Sequence, residues 1–158
     1  MRLLSVLMLL AAFVFPSGYA SASPPINLSA EELQTLQTQA AQGDAKAQFF
    51  LGFLYYNGQG VPQDYGKARQ WYEQAAAQGH AGAQNILAEL YYAGLGVQQD
   101  DVRAYMWFSL AVARSTGNKQ KSTAIQRDGA LTRRMTPAQV AEAQRLAQQC
   151  EAQGLKGC

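Results

Sequence analysis

The sequence predicts an all-α fold, a solenoid of antiparallel helix pairs, on three observations. First, "LYYNGQGVPQD" at Leu54 returns as "LYYAGLGVQQD" at Leu90, 36 residues later. Aligning 43–78 with 79–114 without gaps leaves 17 of 36 positions identical, among them Gly43/Gly79, Gln48/Gln84, Tyr55/Tyr91, Gly58/Gly94, Asp64/Asp100 and Trp71/Trp107. Chance gives only a few, so the chain carries a true internal repeat. Second, the apolar residues of each unit recur at helical spacing. Third, the chain is rich in Ala, Gln, Leu and Tyr and poor in Val, Ile and Thr, which favours helix over sheet. One helical pair cannot bury its own apolar face, so neighbouring pairs must stack.

The chain opens with Arg2, an apolar run from Leu3 to Phe15, then Pro16 and Gly18 and the small-x-small triplet Ala20-Ser21-Ala22. Residues 1–22 therefore read as a signal peptide cleaved after Ala22, with Ala20 as the second choice and an uncleaved anchor as the competing reading. The apolar run is short of the roughly 20 residues a bilayer crossing takes. Residues 23–28 read as a linker and 29–153 as one domain of modest core. Within it, 29–42 is a capping helix: Ser29 and Glu32 form a capping box, and Leu33, Leu36 and Ala40 share a face.

Repeat one, 43–78, begins with a helix in which Ala47, Leu51, Leu54 and Tyr55 lie on one side. Gly58 and Gly60 stop it, Asp64 caps the next helix, and that helix carries Ala68, Trp71, Tyr72, Ala75 and Ala76. Small alanines let the helices approach, and Trp71 with the tyrosines fills the space between pairs. Repeat two, 79–114, restates this pattern. Residues 115–153 read as a degenerate third repeat followed by a C-terminal helix, which Thr136 caps with Pro137 at its first position. Residues 154–158 are a tail. Cys150 and Cys158 read as a disulfide that clips the last helix, or as two free thiols in a frayed end.

The string Ala45-x-Ala47-Gln48, Leu51-Gly52, Tyr55, Gly58-x-Gly60-Val61, Asp64, Lys67-Ala68, Trp71-Tyr72 and Ala75-Ala76 resembles the Sel1-like repeat, a relative of the tetratricopeptide repeat. The second unit departs with Ala88 for Gly52, Arg103 for Lys67 and Phe108 for Tyr72. Residues 135–143 also look like the common ending of bacterial members. The resemblance implies a right-handed α/α superhelical solenoid used as a protein-binding scaffold or adaptor, often in the bacterial envelope. A cysteine-rich branch of the family is linked to β-lactam binding, and this chain lacks the repeat cysteines of that branch.

Spacings that carry chemistry are missing from the sequence: there is no Ser-x-x-Lys, Gly-x-Ser-x-Gly, His-Glu-x-x-His or P-loop. His80, the one histidine, stands where repeat one has Asp44, and reads as a helix-starting polar residue. One histidine cannot supply a multi-histidine metal site. Asp100 reads as a cap, and Asp101 as favourable charge in the first turn. No metal, cofactor or catalytic residue is expected.

The first helices of solenoid repeats line the concave wall. There Phe49, Phe53 and Tyr56 fall at i, i+4, i+7, and their equivalents are Asn85, Glu89 and Tyr92. Aromatic anchors beside hydrogen-bonding neighbours suit a peptide groove. In the competing reading Phe49 and Phe53 pack under 29–42, leaving Tyr56, Asn85, Glu89 and Tyr92.

Charge is uneven. From 23 to 102 eight acids face three bases, and from 103 to 158 nine bases face three acids. Arg114, Lys119, Lys121, Arg127, Arg133 and Arg134 form a basic stretch, either a docking face for an acidic partner or an anionic envelope polymer, or a solvated surface.

The expectation is a non-enzymatic, exported adaptor, periplasmic or secreted, that binds a protein or peptide on its concave face. It does not involve nucleic acid, or a membrane once the signal is cleaved. The rivals are an envelope enzyme or binder acting on peptidoglycan or β-lactams, and a capping factor for a larger assembly. Oligomeric state is left open.

Overall fold

Each helix begins where a side chain can accept the orphaned N–H groups of a first turn. A computed structural model describes residues 26, 28–115 and 129–158, and the described residues hold helices and turns with no strand. The expected signal peptide, 1–22, and most of the expected linker, 23–28, lie outside them. Helix α1 (Ala30–Ala41) starts at the expected capping box: Ser29 Oγ accepts from Glu32 N at 3.2 Å, and Ser29 N donates to Glu32 Oε2 at 2.8 Å. Helix α2 (Ala45–Asn57) is capped by Asp44, α3 (Tyr65–Ala77) by Asp64, α4 (Ala81–Ala93) by His80 and α5 (Asp101–Arg114) by Asp100. Residues 129–132 are helical, and after a turn α6 (Pro137–Ala152) starts at Thr136 with a second capping box to Gln139.

The register is strict. Helices α2 and α4 start and end 36 residues apart, and Tyr65, Asp101 and Pro137 open α3, α5 and α6 at the same interval. The two first helices end alike, on Gly58 and Gly94 with φ of 67° and 69°. A side chain there would pay the left-handed penalty, which glycine avoids.

Each helix packs chiefly on its sequence neighbour, from α1 on α2 through α5 on α6. That is the layout of a solenoid, and it makes two apolar clusters. The larger runs from α3 to α6 and holds Tyr72, Leu87, Leu90, Trp107, Phe108, Leu110 and Leu131. The smaller joins Ala40, Ala47, Leu51 and Leu54 to Leu33, Leu36, Phe50, Phe53 and Trp71. Ala68, Ala75, Ala104 and Ala111 are fully buried, as close helix approach demands. Trp107 is buried, whereas Trp71 is half-buried against the smaller cluster.

Two buried glutamines tie successive pairs together. Gln48 Nε2 donates to Ala40 O at 3.0 Å, and its equivalent Gln84 donates to Ala76 O at 3.2 Å. Each adds a second hydrogen bond to a carbonyl at the end of the preceding helix, which also accepts from the backbone N–H of Gly43 or Gly79. Gln48 also accepts from Gln78 Nε2 at 2.8 Å. Arg114 occupies the place of Gln78 in repeat two, and Gln84 Oε1 is left without a hydrogen bond.

Residues 154–158, expected as a tail, fold back onto the stack. Leu155 is 4% exposed and belongs to the larger cluster, and Cys150 and Cys158 are disulfide-bonded with their Cα atoms 5.6 Å apart.

Candidate partner-binding site

The first helices of the repeats present a cleft of about 260 Å³ lined by Tyr56 from α2, Glu89 and Tyr92 from α4, Leu95, Phe108 and Leu131. Tyr56 and Tyr92 are repeat equivalents, so the 36-residue register sets the same phenol at the end of two adjacent first helices. Tyr56 meets Tyr65 edge to face at 5.3 Å. Gln63 Nε2 fixes this corner by donating to Tyr56 O at 2.9 Å and Tyr65 Oη at 3.1 Å. Tyr92 is the most exposed large apolar side chain among the described residues. The Arg134 guanidinium lies 4.8 Å from the centre of its ring. Arg134 Nη2 also donates to both Asp101 carboxylate oxygens, at 3.3 and 3.1 Å. Asp101, expected only to add charge to a first turn, thus holds the arginine that covers the rim. The cleft floor is apolar, from Phe108 and Leu131.

The aromatic row expected on α2 is not one face. Phe49 turns toward the junction of α3 and α4, stacking on His80 at 4.4 Å and lying 5.6 Å from Tyr72. Phe53 joins Phe50 in the smaller cluster, with ring centres 6.1 Å apart. The physical reason is that α2 has neighbours on several sides, α1, α3 and the start of α4, so its apolar residues are divided among them. Of the six expected residues, Tyr56, Glu89 and Tyr92 come together. Asn85 is half-buried one turn before Glu89, and its Oδ1 is enclosed without a hydrogen-bond partner. Leu95, Phe108, Leu131 and Arg134 were not anticipated at this site. In the sequence Arg134 stands out only as part of a basic stretch.

That stretch is used piecemeal where it is described. The Arg114 guanidinium lies against Gly79, Arg133 Nε donates to Gly129 O at 3.0 Å, and Arg134 serves Asp101 and Tyr92. Lys119, Lys121 and Arg127 lie outside the described residues.

His80 caps α4 as read, with Nδ1 accepting from Ala83 N at 3.2 Å. Burial holds its pKa below the ordinary histidine value, and Lys46 adds to this, against the raising effect of its own backbone hydrogen bond. Burial pushes the Tyr72 phenol well above the usual tyrosine range, with a further contribution from Tyr56. Among the described residues no group of three His, Cys, Asp or Glu side chains is placed to hold a metal ion, and no helix is long and apolar enough to cross a membrane.

The Sel1 repeat family matches the chain twice, at residues 45–80 and 81–115. Among solved structures, the chain is similar to a protective antigen of uropathogenic Escherichia coli strains that displays an SLR fold. The two share 32% identity at a TM-score of 0.70, over 79% of this chain and 27% of that one. The chain thus spans about a quarter of the antigen's length. It is also similar to a Sel1 repeat protein from Oxalobacter formigenes, with 35% identity and a TM-score of 0.57 over 61% of this chain and 71% of that one. No curated protein matches it.

Proposed function

The chain belongs to the Sel1 repeat family, whose members are generally protein-interaction scaffolds, and from this premise we propose that it is a non-enzymatic adaptor that holds a segment of a client protein on the wall of its first helices. The observation that carries this reading is the convergence of Tyr56, Glu89 and Tyr92, from two repeats, on one cleft with an apolar floor. The cleft is smaller than the roughly 300–1,000 Å³ of typical small-molecule sites. It suits one large apolar side chain of a client, seated between two phenols that keep their hydroxyls toward water. Buried aromatic anchors of this kind dominate the energetics of protein interfaces.

The setting is the cell envelope, periplasmic or secreted. Two observations support it: the signal-like first 22 residues, and a disulfide that persists in oxidising compartments.

Pull-down from an envelope extract, with the mature chain as bait, tests the reading. The Tyr56→Ala/Tyr92→Ala variant loses its client while retaining the far-UV spectrum and melting temperature of the parent. Arg114→Ala/Arg133→Ala retains the client. Clients kept by the tyrosine variant and lost by the arginine variant would move the docking surface to the basic side. Turnover of nitrocefin or muropeptides by the purified chain, abolished by one polar substitution, would replace the adaptor with the enzyme reading.

A further inference from the structure

Repeat one and repeat two are joined by different chemistry. At the first joint Asp44 Oδ1 accepts the Ala47 N–H at 2.7 Å. At the second, the same task falls to an imidazole, with His80 Nδ1 accepting the Ala83 N–H at 3.2 Å. Accepting at Nδ1 requires the proton to sit on Nε2, so this cap exists only in the neutral ring. The ring is also built into the joint. It stacks on Phe49 of α2 at 4.4 Å and an interplanar angle of 22°. Gly82 leaves room for it, since a β-carbon there would come 3.1 Å from His80 Cε1.

We propose that the junction between the two repeats is an acid-sensitive joint, in which protonation of His80 removes the cap of α4 and loosens its first turn while the first joint stays closed.

A proton added to Nδ1 turns the acceptor into a donor that faces the Ala83 N–H. It also sets a positive charge at the positive end of the α4 dipole. Burial and then Lys46 of α2 disfavour the imidazolium, against the hydrogen bond to its own backbone, which favours it. The Arg114 guanidinium, at the end of α5, lies against Gly79. From α3, the nearby titratable group is the buried Tyr72 phenol, neutral throughout this range. The Phe49 face returns part of the cost as a cation–π contact, and burial holds the ring's pKa below its ordinary value.

The sign follows from proton counting. Below about pH 6.5 the unfolded chain takes up a proton at His80 before the folded chain does, so folded stability falls with pH in that window. The fall ends once pH has passed below the lowered folded-state value. The chain has one histidine, so no second imidazole titrates in that window.

Amide hydrogen exchange on the mature chain at pH 7.5 and 5.5, corrected for intrinsic rates, tests this at two matched positions. Protection at Ala83 drops about five-fold, as loss of a cap implies, while protection at Ala47 holds. His80→Asn, which keeps an acceptor that does not titrate, removes the pH dependence at Ala83. Equal changes at Ala83 and Ala47, or an unchanged drop in His80→Asn, would overturn the proposal. If that variant does not fold, the NMR titration of the wild-type ring decides: an apparent pKa below 6.5 supports the joint, and one at or above 6.5 sinks it.

Discussion

Replacing Gly52 with alanine sets two well-measured effects against each other. Gly52 lies inside α2, where alanine is the better helix former by about 1 kcal/mol. A β-carbon at Gly52, however, would stand 2.8 Å from both Cδ1 and Cε1 of Tyr72 and 3.0 Å from its Cζ. These are ring atoms of a side chain that is 1% exposed and walled in by the larger cluster, so the ring cannot swing into solvent. Overpacking a well-filled core costs about 1–3 kcal/mol. With the propensity gain subtracted, Gly52→Ala destabilises by about 1 kcal/mol, which lowers the melting temperature by about 4 °C in a domain of this size. Urea unfolding at constant slope measures it. Tyr72→Leu in the same background supplies the cycle: with the ring gone, the alanine becomes neutral or stabilising relative to glycine. An unchanged or raised midpoint for Gly52→Ala alone would refute the reasoning, because propensity would then outweigh the contact. Repeat two holds Ala88 and Phe108 at these positions, so there the ring lacks the phenol oxygen and the helix carries the methyl.

Gly60 and Gly96 are repeat equivalents with similar φ of 70° and 66°, yet a β-carbon at Gly96 would lie 2.6 Å from Tyr65 C and 2.7 Å from Gly66 N, whereas at Gly60 nothing lies within 4 Å. In urea melts Gly60→Ala costs about 1 kcal/mol for the left-handed backbone, and Gly96→Ala costs at least ~2 kcal/mol more, because backbone cannot step aside. Gln48→Met, which removes hydrogen bonds to Ala40, Gln74 and Gln78, destabilises by about 2–3 kcal/mol; Gln84→Met removes one bond and also an unsatisfied oxygen, and costs about 1 kcal/mol or less in the same assay. Reduction of Cys150–Cys158, or Cys158→Ala, destabilises by about 2–3 kcal/mol on loop-closure grounds and raises exchange at Leu155, read by mass spectrometry with and without reductant.

The helical framework was legible because its punctuation is local. Ser29, Asp64, Asp100 and Thr136 announce their helices within three residues, and the structure places caps at all four. His80 was legible as a cap for the same reason, but its stack on Phe49 spans two helices and has no signature in either. The site was half legible. Tyr56 and Tyr92 repeat, so the register set them side by side, whereas Phe49 and Phe53 share a helical spacing that three different neighbours divide among themselves. The floor and rim come from Phe108, Leu131 and Arg134, which reach the cleft through packing between repeats rather than through any pattern in one of them. Leu155 carries no local signal, because only chain reversal after Gly154 brings it to the core.

The even beat of Tyr65, Asp101 and Pro137 persists into a stretch whose wording no longer matches the first two units. What carries on into that stretch is therefore the joint rather than the sentence: a capped start at a fixed interval, while the glycine stop and the glutamine clasp are shared by the first two units. Such a chain grows or shrinks by whole units, as beads are added to a string, and a change of length at any other phase would turn every later helix away from its mate.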